Sequence, residues 1–193
     1  MVRALMLRGR LAAASTVTVA AFAACASAQT PAPTPPSAQP PAAPPPAATG
    51  DPAWLVADPA GKTVTLALQV APAPDGAAFI NGHRNGDLQV IVPLNWTVQW
   101  DWRSADSTRP HSLVVMAERE KLPLEGGRPA FTNAMTRMVT AGLPAGQPDR
   151  TTFEADQAGW YWVLCGVPEH ALAGEYIGLR VDPEATTASV KAK

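Results

Sequence analysis

Cys165-Gly166-Val167-Pro168-Glu169-His170 places a thiol and an imidazole on one short segment. It follows the aromatic run Trp160-Tyr161-Trp162-Val163-Leu164. A second histidine, His111, stands far upstream after Arg109-Pro110 and opens another apolar run, Leu113-Val114-Val115. Two histidines and one cysteine are the equatorial donors of a mononuclear copper–thiolate centre, and such a centre carries electrons. Taken alone, a single cysteine is as readily a small buried hydrophobe. The two histidines turn the reading toward a ligand.

The elements that must position these residues read as β-strands. Lys62 to Val70 alternates and is rich in β-branched residues, and Phe79-Ile80 begins a short apolar element. Asn81-Gly82 and Asn85-Gly86 are turn signals. Further strands are expected over Leu88–Val92, Trp96–Arg103, His111–Ala117, Thr151–Glu154, Trp160–Cys165 and Tyr176–Val181. Trp96, Val98, Trp100 and Trp102 share one face of theirs. The total of about seven or eight short strands, punctuated by Gly, Pro and Asn, predicts an all-β sandwich.

Alternation puts Tyr161, Val163 and Cys165 on one face, and Trp160, Trp162 and Leu164 on the other. The Tyr161 hydroxyl is expected to tie down a connecting loop. Gly166 and Pro168 bend the chain so that His170 returns toward Cys165. Ser112 is placed to hydrogen-bond across to the Cys165 loop, although a polar strand-edge role fits it as well. Glu118 to Arg150 is a long connection, within which Phe131 to Val139 reads as a short helix after Pro129.

The ends carry other signals. Arg3, Arg8 and Arg10 precede a small apolar stretch, Leu11 to Ala24, and Ala26-Ser27-Ala28 is a cleavage site, so residues 1–28 read as an export signal. Phe22-Ala23-Ala24-Cys25 competes as a lipoprotein signal with Cys25 acylated. Residues 29–50 are a Pro/Ala-rich spacer of polyproline type, about 3.1 Å per residue. The folded domain is expected over 51–182, and 183–193 as a flexible tail. Both export readings place the domain in the periplasm or another extracytoplasmic space, lipid-anchored to a membrane in the second. In an oxidising compartment a lone Cys165 cannot pair within the chain.

Three of the 15 Lys and Arg residues lie in the signal, which leaves 12 against 16 acidic residues and a net charge of −4. That balance gives no footing for nucleic acid. His83 reads as an exposed loop residue, and Asp101, Asp106 and Glu118 to Lys121 read as solvated charges. Met116, Met135 and Met138 read as core, with one of them alternatively a further ligand supplied from the long connection. The tryptophans read as core, with Trp100 and Trp102 alternatively a docking surface or an electron relay. No serine–histidine–acid set, phosphate-binding glycine loop or hydrolytic carboxylate pair is present in the sequence.

Asn81-Gly82, Asn85-Gly86, Val92-Pro93, Trp96-Thr97-Val98, Pro110-His111-Ser112, Ala158-Gly159, Tyr161-Trp162 and Cys165-Gly166-Val167-Pro168 with His170 resemble sulfocyanin, a cupredoxin, over about residues 79–181. The resemblance implies a Greek-key cupredoxin sandwich holding one copper ion, Cu(I) or Cu(II). It implies the metal ligands His111, Cys165 and His170, and single-electron transfer between transient redox protein partners. Sulfocyanins carry an axial Met five residues after the second loop histidine; here that position is Glu175, and no Met follows Met138. Glu175 is expected either as a fourth ligand, in a set similar to that of the red copper protein nitrosocyanin, or turned outward. The leading expectation is an electron carrier and not an enzyme. Copper trafficking or storage, nitrogen-oxide chemistry at an open copper site, and a structural zinc site are the rivals.

Overall fold

The computed structural model describes residues 51–193. The export signal, Cys25 and the Pro/Ala spacer lie outside the described residues. Ten strands run in chain order: β1 (Leu55–Asp58), β2 (Thr63–Pro72), β3 (Ala78–Ile80), β4 (Leu88–Pro93), β5 (Thr97–Ser104), β6 (Val114–Ala117), β7 (Asp149–Glu154), β8 (Gly159–Leu164), β9 (Tyr176–Asp182) and β10 (Ser189–Ala192). The described residues contain no helix, and so none long and apolar enough to cross a membrane.

The strands form two five-stranded sheets. One has the order β1-β2-β5-β7, with β3 also paired to β2; the other runs β10-β4-β9-β8-β6. Both are mixed, since β2/β5 and β4/β9 are parallel and the remaining pairs antiparallel. The core lies between them. Leu66, Leu68, Trp100 and Trp102 of the first sheet join Val90, Val92, Val163 and Leu179 of the second in one buried cluster. Alternation on β5 does bury Val98, Trp100 and Trp102, and Trp96 just before the strand is buried with them. Trp100 and Trp102 are therefore core residues, and the docking-surface alternative is excluded for them.

A smaller cluster covers the other face of the second sheet. Val114, Trp162, Leu164 and Ala171 are buried there beneath Leu122 and Val139 of the long connection. That connection is not helical over Phe131–Val139. It runs instead along the free edge of β6, where Val115 donates to the Ala134 carbonyl (2.9 Å) and Ala130 donates to the Val115 carbonyl (2.8 Å). The Thr136 hydroxyl takes the Leu113 N–H at 3.0 Å, and Asn133 sits at φ 65°. Short polar side chains that bond to nearby backbone favour such irregular paths over a helix. The result also covers an otherwise unpaired sheet edge.

Two further expectations are corrected. Residues 183–193 are not a free tail, because Ser189–Ala192 pairs with β4 and Ala188 is buried. Met135 and Met138 are not core, being 38% and 62% exposed. The tyrosine expectation stands: the Tyr161 hydroxyl donates to the Gln157 carbonyl at 2.8 Å, closing the turn before β8. Tyr161→Phe should lower unfolding free energy by about 1 kcal/mol, the net worth of one hydrogen bond. Urea denaturation of the metal-free protein measures it, and a stability equal to wild type would show that the bond contributes nothing.

Candidate metal centre

Strand register assembles the site. Val114 opposes Leu164 across β6/β8, and Leu164 opposes Tyr176 across β8/β9. The three strands therefore end at one level. The residues just past that level are Ser112 and His111 before β6, Cys165 after β8, and Glu175 before β9. The ladder continues as Cys165 N–H donating to the Glu175 carbonyl at 3.0 Å. His170 returns through the intervening turn, where Glu175 N–H donates to the His170 carbonyl at 3.1 Å and Glu169 takes φ 70°.

The ligand atoms of His111, Cys165, His170 and Glu175 lie within 4.8 Å of one another. His111 Nδ1 is 2.9 Å from both Glu175 carboxylate oxygens, and His170 Nδ1 is 3.2 Å from Oε2. Cys165 Sγ is 3.5 Å from His170 Nδ1. Ligands about 2.0–2.3 Å from one metal ion are themselves separated by roughly 3–4 Å, so these spacings suit a single ion. Two imidazoles, a thiol and a carboxylate fit one copper ion, and they suit tetrahedral Zn(II) too. The structure turns Glu175 inward: its side chain is 2% exposed and its carboxylate lies between the two rings.

The electrostatics follow from that packing. Burial alone would raise the Glu175 carboxyl, but hydrogen bonds and charge from His111 and His170 outweigh it and hold the group below the usual range. Burial would likewise lower His111, yet Glu175 and Asp106 raise it. Burial, aided by the Glu175 charge, pushes the Cys165 thiol up to about 12 against the opposing Ser112 and Val167 amides. A metal ion that takes the sulfur displaces that proton.

The surrounding hydrogen bonds hold the loops rather than the ion. Ser112 N–H points at Cys165 Sγ (3.4 Å), while the Ser112 hydroxyl accepts from Gly166 N–H (3.0 Å) and donates to the Val139 carbonyl (2.5 Å). The expected bridge from Ser112 to the Cys165 loop is present. Gly166 is required by a close approach: a Cβ there would stand 2.8 Å from the Val139 carbonyl oxygen and 3.2 Å from Gly126 Cα. His111 is pinned by a two-way backbone bridge with Leu143, 3.1 Å and 2.7 Å. The preceding Gly142 has φ +75°, and a Cβ on it would meet His111 N at 2.9 Å.

One residue read as solvated is part of this structure. Asp106 is buried, with Oδ2 3.0 Å from His111 Nε2. Its sequence signal was its position in Ser-Ala-Asp-Ser-Thr, a turn-forming stretch five residues before the histidine. Glu118 to Lys121 are exposed as expected, and His83 faces Asp87 at 3.3 Å on a turn. Of the apolar residues near His170, Leu172 is exposed but Ala171 is buried in the smaller cluster.

Removing the Ser112 hydroxyl leaves a buried Gly166 N–H and a Val139 carbonyl without their partner. Ser112→Ala should therefore destabilise the metal-free protein by about 2 kcal/mol. A denaturation midpoint equal to wild type would show that the loops hold without this bridge.

Several solved structures and one family model are similar to this chain. Reduced rusticyanin is 19% identical with a TM-score of 0.41, covering 63% of this chain and 85% of that one. Rusticyanin from Thiobacillus ferrooxidans is 21% identical with a TM-score of 0.39, covering 63% and 83%. A multi-copper oxidase from Pseudomonas thermotolerans is 18% identical with a TM-score of 0.46, covering 64% of this chain but 30% of that one. No curated protein matches the sequence. The model of the sulfocyanin (SoxE) domain matches residues 52–190, which is well over half of the chain and nearly all of both sheets. This chain therefore belongs to the sulfocyanin (SoxE) domain family, and its all-β sandwich is that of a cupredoxin.

Proposed function

We propose that this protein is a one-electron carrier built on a single copper ion, with His111 Nδ1, Cys165 Sγ and His170 Nδ1 as ligands and the Glu175 carboxylate as the fourth. The observation that carries the reading is the convergence of these four ligand atoms within 4.8 Å, three of the residues fully or almost fully buried. Copper bound there supplies a Cu(II)/Cu(I) couple.

The chain's own residues serve that couple by staying still. Cys165, Glu175 and His111 sit at strand ends tied by ladder hydrogen bonds, so the donors have little freedom to rearrange when the charge changes. Burial keeps water from the sulfur. His170 is 15% exposed and is the ligand nearest solvent, so its ring is the route for an electron. Val167, Pro168 and Leu172 beside it form a small rim for brief docking of redox protein partners, and such encounters bury little surface. The enclosed site favours electron transfer over turnover of a substrate. The export signal read from residues 1–28 places this carrier in the periplasm or an equivalent compartment, with Cys25 as a lipid anchor if the lipoprotein signal is used.

Glu175 sets the electronic character. As a hard anionic ligand, the Glu175 carboxylate would favour Cu(II) and so lower the reduction potential relative to a thioether.

Two measurements test this. Copper-loaded wild type should show an intense visible thiolate-to-Cu(II) band and a mononuclear paramagnetic resonance signal, both lost in Cys165→Ser. Metal analysis showing zinc in place of copper, with neither signal obtainable, would sink the carrier reading. Glu175→Met should raise the potential and shift the spectrum toward blue-copper character; an unchanged spectrum and potential would place Glu175 outside the coordination shell.

A further inference from the structure

The Asp106 carboxylate is fully used, and its two oxygens do different work. Oδ1 accepts the Thr108 N–H (2.8 Å), the Thr108 hydroxyl (2.6 Å) and the Arg109 N–H (3.3 Å). These bonds fold residues 106–109 into a tight turn between β5 and His111. Oδ2 faces His111 Nε2 at 3.0 Å and the Arg109 Nε at 3.5 Å. The Asp106 N–H is itself held by the Ser104 hydroxyl at 3.1 Å. The side chain is 1% exposed, and a carboxylate so placed is costly unless it is paired. The turn alone does not demand one: a neutral acceptor would serve the three donors at Oδ1. What the second, anionic oxygen adds is its contact with the histidine ring.

We propose that Asp106 is a positioning residue for His111, accepting its Nε2–H so that Nδ1 is kept free to face the metal, and biasing the site toward Cu(II). The proposal rests on the copper reading above. A histidine ligand donates its other ring N–H to an outer partner, which fixes the tautomer and ring plane and raises the basicity of the ligating nitrogen. A carboxylate does this more strongly than a carbonyl, because the bond is charge-assisted. The turn built on Oδ1 prevents Oδ2 from drifting off the ring. Arg109, whose guanidinium also donates to the Ala77 carbonyl at 3.1 Å, tethers the same turn to the residue just before β3. The inner end of the ring meets Glu175 and the outer end meets Asp106, so His111 is fixed along its whole length.

Asp106→Asn separates these duties. The amide oxygen can still accept at the turn, but the nitrogen then faces Nε2 as a donor and demands the wrong tautomer. Outer partners of metal-bound histidines are worth roughly 10–100-fold in metal affinity. A tenfold loss confined to Cu(II) raises the potential by about 59 mV for a one-electron couple. Asp106→Asn in the full chain should show at least that rise, with a shifted thiolate band. Thr108→Val, which removes one turn bond and leaves Oδ2 on the ring, should lose stability but keep the wild-type potential. The idea is overturned if Asp106→Asn keeps the wild-type potential, or if Thr108→Val shifts it equally, since loop order would then be the cause. Nitrogen–proton correlation spectra of the wild type, metal-free and Cu(I)-loaded, decide the matter even if Asp106→Asn does not fold. A slowly exchanging Nε2 proton on His111 in both forms is expected, and a bare Nε2 overturns the proposal. Absence of any copper signal in the wild type would instead strike the copper reading, while the metal-free spectrum still reports on Asp106.

Discussion

The antiparallel register of β6, β8 and β9 is the constraint on which the site depends. Because Leu164 opposes both Val114 and Tyr176, the three strands run out together, and His111, Cys165 and Glu175 emerge side by side. Side chains alternate with period two, so a slip of one residue would send Cys165 to the opposite face. The register is held by burial on both faces of this sheet. Val163 and Leu179 enter the main core, while Trp162 and Leu164 enter the smaller cluster under the long connection. Packing remote from the donors thereby sets their relative positions.

The long connection completes what the sheet begins. It seals the free edge of β6, bridges His111 through Leu143, and lays Val139 against Gly166. Three separate segments are thus locked to one another within a few residues of the ligands. The Ser112 hydroxyl is the knot, touching the β6 approach, the connection and the Cys165 loop at once. Anchoring of this kind leaves the donor side chains little room to rearrange.

Much of this was legible in the sequence. Eight of the ten strands are announced by alternation and turn residues, and the thiol and imidazoles by type and spacing. β1 and β10 are not legible in the sequence, because each is four residues long and shows little alternation; only pairing with β2 and β4 makes them strands. The segment Phe131–Val139 has an apolar spacing that suits a helix, but its backbone bonds go to the edge of β6, a partner distant in sequence. Asp106 reads as solvated because aspartate in a Ser/Thr-rich stretch usually is. Its burial depends on the fold carrying His111 back against it. The inward turn of Glu175 is equally a tertiary fact, since the position was visible in the sequence and the direction was not.

Charge accounting links the two acidic residues to function. A site with one thiolate and a neutral thioether carries a net positive charge around Cu(II) and becomes neutral on reduction. With Glu175 as a ligand the same site is neutral around Cu(II), and reduction leaves a net negative charge in a buried place. Burying an uncompensated charge is unfavourable, so reduction becomes harder. Asp106 adds a second anion on the outer edge of His111 and acts in the same direction, tempered by the Arg109 guanidinium. At the proposed copper site both anions would therefore favour Cu(II), Glu175 as a ligand and Asp106 through the imidazole. On the proposed reading as a one-electron carrier, these two anions would place the couple lower than a methionine-ligated site of the same fold would sit.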